Sequence, residues 1–221
     1  MVERYYRDHF VKAGFIILMM FILAAAATAK DWNELNRMSE QELTEKILDF
    51  QKRLDQNPED YEMLKAVGIA FHARAGKDAK KFAPRAFEML TRASEIDKKD
   101  YETQCYLGSA TTMLAKTTWN PMKKMSYANK GIAMMDKAVR KAPDNVSVRL
   151  TRAYNSRRLP HFFGREETAI EDFEYLAEMI EKNPDAYGSL KEDVYMNLVE
   201  LYRKNDNKMK AEKYQKMLEG R

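Results

Sequence analysis

An all-helical fold is the expectation for this chain, and three observations lead to it. Apolar residues recur at spacings of three and four, as in Phe87, Leu90, Ala93 and Ile96, which is the period of a helix. No stretch alternates apolar and polar residues as a half-buried strand would. One segment also echoes another. Asp60-Tyr61-Glu62 leads to Val67-Gly68 and Ala70, and Asp100-Tyr101-Glu102 leads to Leu107-Gly108 and Ala110. An acidic-aromatic start with a small residue at the eighth helical position, repeated in register, marks a repeat array. Arrays build extended surfaces by stacking, and such surfaces bind more often than they catalyse.

Residues 1–29 read as a cleaved export signal. Arg4, Arg7 and Lys12 precede an unbroken apolar run from Phe15 to Ala27, which ends in the small-x-small sequence Ala27-Thr28-Ala29 before Lys30. The run is shorter than the ~20 residues a helix needs to cross a bilayer. The alternative is a retained membrane anchor, with Tyr5, Tyr6 and Phe10 at the interface. Export predicts a periplasmic or secreted protein. Removal of the segment lowers the net charge from +4 to +3, because Arg4, Arg7 and Lys12 leave with Glu3 and Asp8. A charge so close to balance gives no argument for a nucleic-acid partner. The single cysteine, Cys105, has no internal disulfide partner. It reads as a small buried apolar residue, the alternative being a reactive or intermolecular thiol.

Residues 30–38 read as a linker and residues 39–58 as a capping helix or half-repeat. Ser39 and Glu42 form a capping box, and Leu43, Ile47, Phe50 and Leu54 form the apolar stripe behind it. Asn57-Pro58, Ala142-Pro143 and Asn183-Pro184 each end a helical segment, since proline lacks the amide hydrogen and disfavours helix in the residue before it. Asp97-Lys98-Lys99-Asp100 fills the equivalent place without proline. Residues 59–221 then divide into about four helix pairs.

The pairs carry a recurrent pattern of small and bulky residues. Leu64, Val67, Gly68 and Phe71 are followed by Ala86, Leu90 and Ala93, and Leu107-Gly108 by Gly131, Met135, Ala138 and Pro143. Weaker copies run Leu150, Thr151 and Tyr154 to Ala169, Phe173 and Leu176, and Leu198, Val199 and Tyr202 to Ala211 and Leu218. In these residues the chain resembles the tetratricopeptide repeat (TPR) family, of an exported bacterial type. The resemblance implies a right-handed solenoid of antiparallel helix pairs, from about Tyr61 to the C-terminus. The fourth pair matches the family spacing, while the first three have longer loops within the pair. The resemblance also implies a concave face lined by the first helix of each pair. That places Glu62, Lys65, Ile69 and His72 beside Glu102, Cys105, Ser109 and Thr112, with Tyr106 nearby. The paired Lys and Asn with which some TPR domains grip a peptide carboxylate are not reproduced.

Catalytic constellations are missing, so no enzyme, cofactor or metal is expected. No His or Cys pair has metal-ligand spacing, and Gly164 stands alone rather than in a phosphate loop. The fifteen methionines suit gap filling between helices better than copper binding. Glu166, Glu167, Glu171 and Asp172 start a helix, where carboxylates favour the macrodipole and are expected to face water.

The loops inside the pairs are basic. The first holds Lys77, Lys80, Lys81 and Arg85, and the second Lys116, Lys123 and Lys124 around Trp119. The third holds Arg157, Arg158, His161 and Arg165 around Phe162 and Phe163, and the fourth Arg203, Lys204, Lys208 and Lys210. The opposite turns are acidic. A plain cause is available, since cations favour helix C-termini. Phe162 and Phe163 are expected to be buried at a corner, and Trp119 to be the contact residue. The candidate contacts are therefore Lys65, His72, Tyr106, Lys80, Lys81, Trp119, Lys123, Lys124, Arg157 and Arg158. The function expected is an interaction scaffold for another envelope protein or peptide segment, with an anionic surface against the basic loops. The alternative is a small-ligand or transport-accessory protein.

Overall fold

The computed structural model describes residues 34–220, so the segment expected to be an export signal, the expected cleavage site and the start of the expected linker lie outside the described residues. Among the described residues the chain is all helical, with nine long helices and no strand. The helices are α1 (Glu40–Gln56), α2 (Tyr61–Ala75), α3 (Ala79–Ile96), α4 (Tyr101–Leu114) and α5 (Pro121–Lys141). They continue with α6 (Val146–Arg158), α7 (Glu166–Lys182), α8 (Lys191–Lys204) and α9 (Lys208–Leu218). Each packs on the helix before it, and α2 also touches α4, as α4 touches α6. None of them is long and apolar enough to cross a membrane.

Local chemistry sets the boundaries. In the capping box of α1, the Glu42 amide donates to Ser39 Oγ at 3.2 Å and the Ser39 amide to Glu42 Oε2 at 2.8 Å. Leu43, Ile47 and Phe50 are buried behind it. Asp60 and Asp100, the first residues of the echoed segments, are the N-caps of α2 and α4. Pro58 and Pro143 follow the C-caps of α1 and α5, and Asn183, just before Pro184, is the C-cap of α7. The segment expected to be linker holds one helical turn, Glu34–Arg37, and buries Leu35.

The small residues let the helices approach. A Cβ on Gly68 would stand 2.7 Å from Leu90 Cγ, so α3 lies directly on α2 there. Gly108 and Gly131 face each other across α4 and α5. A Cβ on either would meet the other's carbonyl oxygen, at 2.9 Å from Gly108 and 2.3 Å from Gly131. From α6 to α9 large side chains fill the core instead, with Phe173, Leu176, Tyr195 and Leu198 fully buried.

A charged junction joins α5, α6 and α7. Asp172 is 0 % exposed. It accepts from Arg149 Nη1 at 2.8 Å, from Arg152 Nε at 2.7 Å and from Arg152 Nη2 at 2.8 Å. Arg152 also reaches Asp136 at 3.2 Å, and Arg165 reaches Asp136 at 2.6 Å. The expectation that Asp172 faces water is overturned: it lies on the buried side of α7, in line with Ala169, Phe173 and Leu176, where two guanidiniums compensate its charge.

The loops also differ from expectation. The first is only three residues, Gly76–Asp78, because Asp78 caps α3 through the Lys81 amide. Lys80, Lys81 and Arg85 are therefore helical. Asn120 caps α5 in the same way and places Lys123 and Lys124 in its first turn. The third connection does remain long. It contains the short turn His161–Phe163 and then Gly164, whose φ of 63° is the left-handed conformation that glycine adopts without strain.

A cavity with a polar floor and a basic mouth

Helices α2, α4, α5 and α6 line an open cavity of about 1050 Å³. The turn Glu34–Arg37 contributes Arg37 to its wall, and the third loop contributes Leu159, Pro160, Phe162 and Phe163. Its floor is a hydrogen-bonded set drawn from three helices. His72 Nε2 and Ser109 Oγ share a hydrogen bond of 2.8 Å. Asn155 Nδ2 donates to Ser109 Oγ at 3.1 Å and to Thr112 Oγ1 at 2.6 Å. Tyr106 is buried edge-on to the His72 ring, with centroids 5.2 Å apart.

Two buried polar atoms of this floor have no partner in the protein, His72 Nδ1 and Asn155 Oδ1. Asn155 itself is 8 % exposed. Buried polar atoms left unmatched are costly, so such a pair marks a place where something else completes the hydrogen bonding. Burial, assisted by the nearby Arg158 charge, lowers the His72 imidazole to about 4, so it is neutral at neutral pH. The Ser109–His72 contact resembles a nucleophile–base pair, but a base that weak with no carboxylate on its second nitrogen lacks the orienting third group. Ser109 also lies within helix α4, 3 % exposed. The set suits binding.

The walls are apolar and the charges around them unbalanced. Met113, Met125, Leu159 and Phe163 supply aliphatic and aromatic surface. Of the charged lining residues, Arg37, Lys77, Lys116, Lys124 and Arg158 are cationic and Asp193 alone is acidic. Asp193 is already engaged, accepting from Tyr154 and from Asn197. Lys77 has Glu40 at 3.5 Å. Arg158 has no carboxylate partner among the described residues. Its guanidinium stands 5.8 Å from the Tyr154 ring.

The expected contact residues therefore separate. His72, Tyr106, Lys124 and Arg158 line the cavity. Lys65 does not present a free charge to a partner. It is 8 % exposed, and its Nζ donates to Asp100 at 2.6 Å and to Glu102 at 2.7 Å. Burial works against its charge, but these carboxylates outweigh it and raise the pKa. Asp100 also accepts from Tyr61, so the echoed Asp-Tyr-Glu segments link one pair to the next. Arg157 turns away from the cavity to Asn197 at 2.6 Å and to Glu200. Cys105 is buried and donates to the Val148 carbonyl at 3.4 Å, and burial pushes its thiol up, away from reactivity.

Around the mouth the aromatics are exposed. Trp119 is 86 % exposed, with Lys80 Nζ 5.4 Å and Lys124 Nζ 5.8 Å from its ring. Phe162, expected to be buried, is 70 % exposed, because its turn hangs between α6 and α7 beside the opening. Met122 is exposed on the same helical turn as Lys123. Lys80, Lys81, Lys123 and Lys124 sit in first helical turns that hold no acidic residue. A preference of cations for helix C-termini therefore does not explain them, since they stand at the opposite end. Sequence reasoning missed Asn155, Thr112 as its partner, and Met113 and Met125. A polar residue inside a helix signals nothing until the facing helix is known. No family model, curated protein or solved structure matches the chain.

Proposed function

We propose that this chain is an exported, non-enzymatic TPR-like binding protein, a right-handed solenoid of helix pairs behind an N-terminal capping helix, whose groove holds a small organic ligand. One observation carries the reading: a concave cavity of about 1050 Å³ with largely apolar walls and unmatched polar atoms on its floor. Its volume is at the upper end of the ~300–1,000 Å³ range of small-molecule sites. An open peptide-binding groove would instead present its central positions, yet Lys65, Ile69 and Cys105 are all buried. The stacked glycine contacts and alternating helix contacts support the solenoid.

The test is a search for ligand on the protein as purified. Native mass spectrometry of the exported form is expected to show a retained adduct that is lost on denaturation. A ligand present at 100 times its dissociation constant stabilises the fold by about 2.7 kcal/mol, readable as a melting shift. A protein that carries no adduct and is stabilised by no fraction of an envelope metabolite extract would sink the reading. N-terminal sequencing that begins at Lys30 supports export with cleavage, and an intact Met1 supports the anchored alternative.

A scaffold role keeps one specific support, the mouth itself. Trp119 between Lys80 and Lys124, with Met122 and Phe162 exposed beside it, has the composition of a contact surface for an acidic envelope protein. In that reading a salt-resistant partner is recovered by the native protein and lost on Trp119→Ala with Lys123→Glu.

A further inference from the structure

We infer that the cavity selects an amphipathic carboxylic acid, its carboxylate held by Arg158 and its apolar chain lying among Met113, Met125, Leu159 and Phe163. The inference rests on the ligand-binding reading and adds the chemistry of the head group. Charge supplies the first argument. The lining carries five cations and one carboxylate, and that carboxylate is already bound by Tyr154 and Asn197. The cavity therefore attracts an anion and disfavours a cation.

Position supplies the second. Arg158 lines the cavity one helical turn beyond Asn155 of the floor, on the same helix. Lys124 stands at the mouth over the exposed Trp119. The Arg158 guanidinium has no carboxylate partner among the described residues, so it can take the head group of a bound anion. A planar guanidinium also matches the two oxygens of a carboxylate.

Hydrogen bonding supplies the third. Ser109 Oγ accepts from Asn155 Nδ2 and shares a hydrogen bond with His72 Nε2, while His72 Nδ1 has no partner and is open to a polar atom of the head group, as donor or acceptor according to the tautomer. Asn155 Oδ1 remains as an acceptor, nine-tenths buried and unmatched, for a hydroxyl or a bridging water accompanying the head group. Methionine side chains, unbranched and adaptable, suit a chain rather than one fixed ring shape.

Isothermal titration of the full exported protein with dodecanoate, dodecanol and dodecyltrimethylammonium, each below its micelle concentration, tests the assignment. Dodecanoate is expected to bind at least about ten-fold more tightly than dodecanol, the worth of one charge-assisted contact, and the ammonium more weakly still. Arg158→Gln is expected to erase the preference for dodecanoate over dodecanol, and Arg158→Lys to restore part of it. Arg157→Gln, the adjacent arginine that faces Glu200, is expected to leave it intact. Arg158 lies at the end of its helix with an exposed side chain, so these variants retain the fold, as circular dichroism would verify. Equal affinity for the three probes, or equal effects of the two glutamine variants, overturns the head-group assignment while the cavity reading stands. Failure of all three probes to bind also overturns it, and the retained-adduct measurement then decides the cavity reading separately.

Discussion

Asp172 shows at a single residue how far the surroundings decide a side chain's role. Its carboxylate is the fully buried partner that Arg149 and Arg152 share, so its loss would leave them only the longer contacts to the exposed Glu171, at 3.8 and 3.9 Å, and Arg152 its contact to Asp136 at 3.2 Å. Asp172→Ala is expected to lower the unfolding free energy by about 3–5 kcal/mol in urea titrations. Glu171→Ala, one residue earlier and exposed, should stay within about 0.5 kcal/mol. In the sequence the two acids look alike, because the arginines that distinguish them come from another helix. His72 makes a second prediction at this scale. Its imidazole titrates near 4 in the folded state and near its ordinary 6.5 when unfolded, so the unfolded chain takes up the proton first. Stability from this residue is complete above about pH 7 and is lost as the pH falls from about 6.5 towards 4, by up to about 3 kcal/mol. Melting curves at pH 7.5, 5.5 and 4.5 should show His72→Gln converging on the native protein in this window. Parallel pH profiles would contradict the assignment.

At the scale of helices, the approach of α4 to α5 depends on two missing side chains. A methyl on Gly131 would lie 2.3 Å from the Gly108 carbonyl and 2.5 Å from Thr112 Cγ2, both on the facing helix. The gain of ~1 kcal/mol that alanine brings to a helix interior is outweighed by the forced separation of the helices. Gly131→Ala is expected to cost about 2–3 kcal/mol net, whereas Gly188→Ala, with nothing within 4 Å, should be nearly neutral. These glycines were legible in the sequence as packing positions, because their register repeats and no turn chemistry surrounds them. The helix ends were legible for the same local reason at Ser39, Pro58, Pro143 and Pro184. The starts of α3 and α5 were not. Basic residues drew the eye to a loop, while Asp78 and Asn120, three residues before Lys81 and Lys123, had already begun the helices. The floor of the cavity was half legible: the repeat resemblance implied a common face for His72 and Ser109 with Tyr106 nearby, but Asn155 reaches it only through the contact of α6 with α4.

Across the whole molecule, α1, α2, α4, α7 and α8 carry acids in their first turns as the helix dipole favours, whereas α3, α5 and α9 carry lysines there, and that exception points to function. Four lysines occupy the first turns of α3 and α5, where the partial positive charge of the helix already resides. By contrast, Lys210 in the first turn of α9 is matched by Glu174 at 3.0 Å, so an unfavourable placement can be compensated within the fold. Among the described residues no carboxylate pairs with Lys80, Lys81, Lys123 or Lys124; Lys124 lines the predominantly basic cavity, Lys80 shares the Trp119 ring with it, and Lys81 stands over Phe82. Their cost to stability is small per residue, so removing them should be tolerated and even favourable. Lys81→Glu with Lys123→Glu is expected to raise the unfolding free energy by about 0.5–2 kcal/mol at low salt, with the gain shrinking as salt screens it. The same variant should slow the capture of an anionic ligand at low ionic strength, since the field that steers it to the mouth has been reversed at two positions. Stopped-flow association of dodecanoate, with urea melts at about 20 and about 300 mM salt, measures both effects on one sample. A variant that binds as fast as the native protein would leave the lysines with no role beyond solubility. A variant that is less stable would mean that they make contacts in the fold which their exposed positions do not suggest.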